Sequence, residues 1–187
     1  TAITIAEHAP QIMMKPLLAM GKEAIKATVK DSRDSDATDL KKAGFRALTA
    51  AGRNDPALRD EAFTAITPYL YDQNPVLVGT AIYLLADMSA TSEKHAGMAF
   101  ELIEPFLSDS SSHDIRETAM VALGRMAEHD IRFAQSAFDA AKKGLSGHGR
   151  VMTAYAVGVI GAIGSAHEDF RAEAYRLAEG VAMKDGE

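Results

Sequence analysis

The chain has 187 residues, 47% of them hydrophobic and 25% charged, the balance of a folded globular chain and not of a disordered one. It contains no cysteine and no tryptophan, which excludes disulfides, cysteine-based zinc sites and thiol nucleophiles, and leaves base-stacking platforms poorly supplied. A net charge of −6 argues against a phosphate-backbone partner, which needs a basic stripe, and no run of about 18 apolar residues is present to span a bilayer.

Thr1 to Pro10 lacks a basic segment followed by an apolar core, so no secretory signal is read and a cytoplasmic location is expected. The first helices are predicted near 2–13 and 15–30, the second with Leu18, Ile25 and Val29 on one side. The polar run Asp31 to Asp36 then makes the longest loop. Eight helices follow near 38–52, 56–71, 75–90, 93–108, 113–128, 131–145, 150–164 and 167–183, joined by short loops. Asn54-Asp55-Pro56 offers an N-cap with proline at the first helical position, and Asn74-Pro75 does so again. Asp114 with Glu117 and Ser165 with Glu168 have capping-box spacing. Pro68 and Pro105 fall late in their helices, where the missing backbone donor bends the chain.

The chain superimposes on itself when shifted by 37 or 38 residues. Leu40, Leu77, Ile115 and Met152 come into register, as do Gly44, Ala81, Ala119 and Ala156. Leu48, Leu85, Leu123 and Ile160 follow, then Ala51, Met88, Met126 and Ile163. Within a repeat these positions lie 0, 4, 8 and 11 apart, which is one face of a helix. A second ladder keeps the same offsets: Ala62, Ala99, Ala137 and Ala174, then Phe63, Phe100, Phe138 and Tyr175, then Leu70, Leu107, Leu145 and Ala182. Two registers held at once predict stacked helix pairs, each covering a face that its neighbour cannot bury alone.

One repeat carries a resemblance. Glu104 to Asp109, a polar loop, then Asp114-Ile115-Arg116-Glu117-Thr118-Ala119-Met120-Val121-Ala122-Leu123-Gly124 is similar to a HEAT repeat of the bilin-lyase type. The other repeats match more loosely: Val78 stands where that arginine is expected, and Lys41 and Thr153 occupy the corresponding sites. The resemblance implies an all-α, right-handed α-α superhelix (solenoid) of about four to five HEAT-like helix pairs. It forms a single domain, with N-terminal helices over 1–36 and four repeats over 37–187. It also implies that the helices near 38–52, 75–90, 113–128 and 150–164 line a concave side. Their outward faces would carry Lys42, Arg46 and Arg53, then Gly79, Tyr83 and Asp87, then Glu117, Val121, Arg125 and Glu128, and finally Ala154, Gly158 and Ala162. Of these, Tyr83 is the expected anchor, since an exposed aromatic can centre an interface.

The helix near 150–164 reads Val151 to Gly164 without a charge, and a helix apolar all round is expected to be buried on all sides. Gly158 and Gly161 inside it predict close helix packing or, failing that, a docking face for a partner or a second copy. His129-Asp130 and His167-Glu168-Asp169 fall at equivalent turns, but no histidine pair has the spacing that sets two ligands on one helical face. Gly147-His148-Gly149-Arg150 lacks the strand that a phosphate-binding loop follows, and Ser108 to Ser112 form no nucleophile elbow. The expectation is therefore a non-catalytic protein-binding scaffold with no cofactor and no metal. Its partner would be a polypeptide and not nucleic acid or a membrane, and self-association through the apolar last repeat is a further possibility. The competing expectation is a HEAT-like enzyme or lyase subunit acting on nucleic acid or a tetrapyrrole.

Overall fold

In the computed structural model the described residues are 13–26, 35–90, 92–108, 111–145 and 149–184. The expected first helix, Val29, most of the Asp31–Asp36 run, Ser110, Gly147 and His148 lie outside them. All the regular structure described is helical. Helix α1 (Met14–Ile25) precedes α2 (Ser35–Asn54), α3 (Arg59–Ile66), α4 (Pro75–Ser89) and α5 (Glu93–Ile103). Helices α6 (His113–His129), α7 (Ala134–Gly144), α8 (Gly149–Ala166) and α9 (Glu168–Lys184) complete the series. Each 37- to 38-residue repeat therefore has a lead helix (α2, α4, α6 or α8) and a trailing helix (α3, α5, α7 or α9).

The local punctuation explains these boundaries. Asp55 and Asn74 each accept from the backbone N–H two residues on, at 3.0 Å, and proline follows each of them. Pro68 and Pro105 change the helix type where a bend was expected: α3 passes into a 3₁₀ segment at Thr67–Tyr71, and α5 into one at Glu104–Leu107. Two expected capping boxes are corrected. Ser112, not Asp114, caps α6 by accepting from the Ile115 amide, because the helix already begins at His113. Ser165 lies inside α8 and cannot cap α9.

The chain divides into two compact units, Thr1–His95 and Ala96–Glu187. In the first, α1 crosses α2 where both present glycine. A Cβ on Gly21 or on Gly44 would come within 2.9 Å of the other residue's carbonyl oxygen, so only glycine lets the backbones approach. The Tyr69 hydroxyl donates to the Ile25 carbonyl at 2.6 Å, satisfying an acceptor that the end of α1 leaves open. Its ring meets Phe45 edge-on at 4.7 Å, above a core of Leu48, Phe63, Ile66 and Leu85. In the second unit Gly124 brings α6 against Val159 of α8, and Gly144 brings α7 against Ala156. Leu123, Phe138, Met152 and Ile160 fill the space between.

The ladder positions beginning at Gly44, Leu48, Ala51 and Ala62 are buried in every repeat. A further buried register joins them. Gly52, Ser89, Ala127 and Gly164 stand in register one position beyond the first ladder, where the lead helix turns toward its trailing helix. Both glycines face an alanine of the second ladder, Gly52 against Ala62 and Gly164 against Ala174. Small residues at this register let the two helices of a pair converge.

Elsewhere the ladders are corrected. Phe63 and Phe138 are core, but Phe100 is half-buried, stacked on Phe133 at 4.8 Å, and Tyr175 is 71% exposed. Leu107 and Leu145 are half-buried, and Ala182 and Leu40 are exposed. A ladder residue is covered only when a neighbouring element lies over it, and α9 carries Tyr175 and Ala182 where no later helix is described. Helix α8 is corrected too. It is not buried all round, because Val151, Ala154, Tyr155, Gly158 and Gly161 are exposed along one side. A Cβ at Gly158 or Gly161 would meet nothing within 4 Å, so close helix packing does not explain these glycines.

Two stability series follow, each read from urea melts. Gly158→Ala and Gly161→Ala should each stabilise by about 0.5–1 kcal/mol, since each removes backbone entropy without a clash. Gly164→Ala should instead destabilise by about 1–3 kcal/mol through overlap with Ala174. Phe138→Ala should cost about 3–5 kcal/mol, while Tyr175→Ala should stay within about 0.5 kcal/mol. A large loss at Tyr175 or at Gly158 would show that those faces are packed.

Candidate functional site

The outward positions of the lead helices occupy the two units separately. In the first unit, Arg46 and Arg53 on α2 are exposed and Asp87 on α4 is half-buried. Arg46 and Arg53 lie seven residues apart, two turns along one face of α2. With Leu84, Thr49, Ala50 and Asn54 they border a groove of about 420 Å³ between α2 and α4. Arg53 Nη1 donates to both carboxylate oxygens of Asp87, at 3.2 and 3.0 Å, tying one lead helix to the next. Both side chains are partly solvated, so the pair contributes about 0–1 kcal/mol and serves mainly to orient the guanidinium. Lys42 and Tyr83 lie outside the groove lining. Lys42 pairs with Asp39 at 3.1 Å, and Tyr83 is 37% exposed.

In the second unit Arg125, Glu128, Ala154 and Gly158 are exposed, and Glu117, Val121 and Ala162 are half-buried. Glu117 is held by His113 Nε2 at 3.1 Å, one helical turn away. None of these residues borders the groove of about 340 Å³ in this unit, which opens among Glu104, Arg116, Met120, Asp139, Lys143 and Met152. Arg116, the arginine of the HEAT-like match, donates to the Ser111 carbonyl at 3.2 Å and braces the loop ahead of its own helix. That role is structural.

The histidines separate in the same way. His167 Nε2 bonds the Ala127 carbonyl, clipping the turn before α9 to the end of α6. Among the described residues no group of three or more His, Asp or Glu side chains is placed to hold a metal ion. His95 was missed by the sequence reading. It is 5% exposed and stands in register with Leu58, Phe133 and Phe170, a polar group in an apolar series. Ser92 lies 2.8 Å from its Nδ1 and Asp60 2.7 Å from its Nε2, the second contact off the line of a straight hydrogen bond. Ser92 occupies the register where Asp55 and Asp130 cap their helices. The chain Ser92–His95–Asp60 thus has nucleophile, base and acid within reach, but neither groove adjoins it. Its acid is exposed and shared with Lys94 at 2.8 Å. It ties α3 to α5, and the shift from an apolar pattern at that register was the one signal that could have revealed it.

Against this geometry the comparisons are clear about fold. No protein-family model and no curated protein matches the chain. A designed armadillo repeat protein superposes with a TM-score of 0.58 at 16% identity, covering 97% of this chain and 81% of its own. A computationally designed armadillo repeat protein for modular peptide recognition gives 0.56 at 16% identity, with the same coverages. An engineered protein gives 0.52 at 15% identity over 86% of this chain, which spans only 42% of that protein's length. The chain has the all-α helical-repeat solenoid fold of the armadillo and HEAT kind. Among the described residues no helix is long and apolar enough to cross a membrane.

Asp60 gives this region a pH signature. The hydrogen bond from the Lys94 ammonium holds its carboxyl below the usual carboxylate range, outweighing the opposing effect of desolvation, with His95 adding to the shift. A depressed folded pKa means that the contribution is fully present above the unfolded value of about 3.9 and is lost as pH falls through the folded value. Urea melts of the native chain and of Lys94→Met should therefore differ near neutral pH and converge in acid, as pH falls through the folded value of Asp60. A gap that persists in acid would assign the effect of Lys94 to packing of its stem.

Proposed function

We propose that the chain is a non-catalytic scaffold that binds polypeptide segments on the outward faces of its lead helices. The observation that carries this reading is the contrast between two sets of registers. Inward positions keep one chemistry from repeat to repeat, as at Leu48, Leu85, Leu123 and Ile160. Outward positions change it: Lys42, Gly79, Glu117 and Ala154 share one register, and Arg46, Tyr83, Val121 and Gly158 share another. Such a surface reads an irregular partner, and a folded polypeptide or peptide is the irregular partner that an acidic chain with few aromatics can take. The groove at Arg46, Arg53 and Asp87 supports the reading. So does the fold shared with a protein designed for modular peptide recognition. An enzyme acting on nucleic acid or a tetrapyrrole draws no support from a specific residue.

A second reading, self-association, is favoured by one observation: the uncharged face of α8, where Val151 is 61% and Tyr155 46% exposed. Affinity capture from nuclease-treated source lysate separates the two, run with the native chain and with an Arg46→Glu, Tyr83→Ala, Arg125→Glu variant. A protein held by the native chain and released by the variant is the expected result. Capture of nothing by either, with a mass that rises with concentration in light scattering, would replace the scaffold with a self-associating protein.

A further inference from the structure

The groove between α2 and α4 specifies a ligand, and the inference rests on the polypeptide-binding reading. We propose that this groove clamps the carboxylate side chain of an acidic residue in a bound peptide, between Arg46 and Arg53. Both arginines line one cavity of about 420 Å³. Their Cα atoms are about 10 Å apart, two turns of rise along the helix, a gap that two arginine side chains close onto a single carboxylate.

The charged donors of the groove are the two guanidinium groups, and Asp87 accepts from one of them. Arg46 is exposed and, among the described residues, makes no ion pair. Arg53 spends only Nη1 on Asp87, which leaves Nε–H and Nη2–H to offer. The Thr49 hydroxyl donates to the Phe45 carbonyl at 2.9 Å and the Asn54 amide to the Ala50 carbonyl at 2.8 Å, so the arginines remain the charged donors open to a ligand. Asp87 neutralises one arginine of the two. The site therefore retains a single positive charge beside an apolar wall of Ala50 and Leu84. That combination fits a singly charged carboxylate on a methylene stem, and fits a doubly charged phosphate poorly. A charge-assisted contact of this kind holds its geometry because Asp87 has already fixed one guanidinium.

The clamp belongs to one place in the array. In the second unit Val121 stands in register with Arg46 and Glu128 with Arg53, so those registers carry no pair of arginines there. Recognition of an acidic residue is thus local, and fixes where along the scaffold a peptide is seated.

A random-peptide display library panned on the full chain tests this. Enriched peptides should share an Asp or Glu, and their affinity should fall about tenfold or more with Arg46→Gln or with the acid changed to its amide. The two losses should not add when combined. Arg171→Gln, which removes an exposed charge on α9, should leave affinity unchanged, and melting of Arg46→Gln should match the native chain. Peptides that bind without an acid, or that ignore Arg46→Gln, would overturn the clamp and leave the scaffold reading standing. Enrichment of no peptide would overturn both.

Discussion

A helix pair of this chain cannot bury its own apolar face, and everything else in the structure answers to that shortage. Leu48, Leu85, Leu123 and Ile160 are each inaccessible to solvent, yet each repeat contributes only part of the cover. Fully burying such a side chain is worth about 1.5–3 kcal/mol, and that gain exists only when a neighbouring pair of the same unit is in place. The period of 37 or 38 residues is the consequence. A pair must be long enough to present both ladders and must return the chain to the same register. The small residues at Gly52 and Gly164 belong to the same constraint, since they set how closely the two helices of a pair converge.

Polar contacts between neighbouring pairs are secondary in energy and specific in place. Lys22 with Glu61, Arg53 with Asp87, Lys94 with Asp60 and Lys142 with Glu173 each join adjacent elements within a unit. All four are partly or largely solvated, so none of them adds much to stability. They cannot hold the array together. What they do is choose among near-equivalent ways of stacking similar apolar faces, because a slip of one turn would separate the charges. His95 does the same from inside: a buried imidazole with Ser92 on one nitrogen and Asp60 near the other holds the first turn of α5 against α3.

The fold was legible because its signal is periodic and is carried by residues that all face inward. The helix boundaries were legible where Asp55-Pro56 and Asn74-Pro75 marked them, and less so at Ser112, whose hydroxyl captured the cap from Asp114 two residues on. Exposure was harder to read. Leu40 and Tyr175 have the right residue type at the right register, but burial requires a neighbour, and a register does not say whether one is there. Helix α8 misleads in the opposite sense, because an uncharged sequence suggests cover on every side while Gly158 and Gly161 face open space. The pairing of Arg53 with Asp87 joins residues 34 positions apart, and nothing local in either helix announces it. The outward surface could be listed from the sequence, residue by residue, but not which of its members share a groove.

That distinction bears on where function can reside in such a protein. A stack of this kind is stabilised as a sum of each repeat's own energy and its contact with the next. Inward positions are therefore constrained twice, by their own pair and by the neighbouring pair. Outward positions such as Arg46 and Gly158 are exposed, so a change there costs the array little. Chemistry that varies at these registers is free to be set by something outside the chain. Glycine on the outward face of α8 sharpens the point: it weakens the helix by about 1 kcal/mol relative to alanine, and no internal contact accounts for it. Stability and packing leave Gly158 and Gly161 open to substitution, unlike Gly164, where a Cβ would meet Ala174.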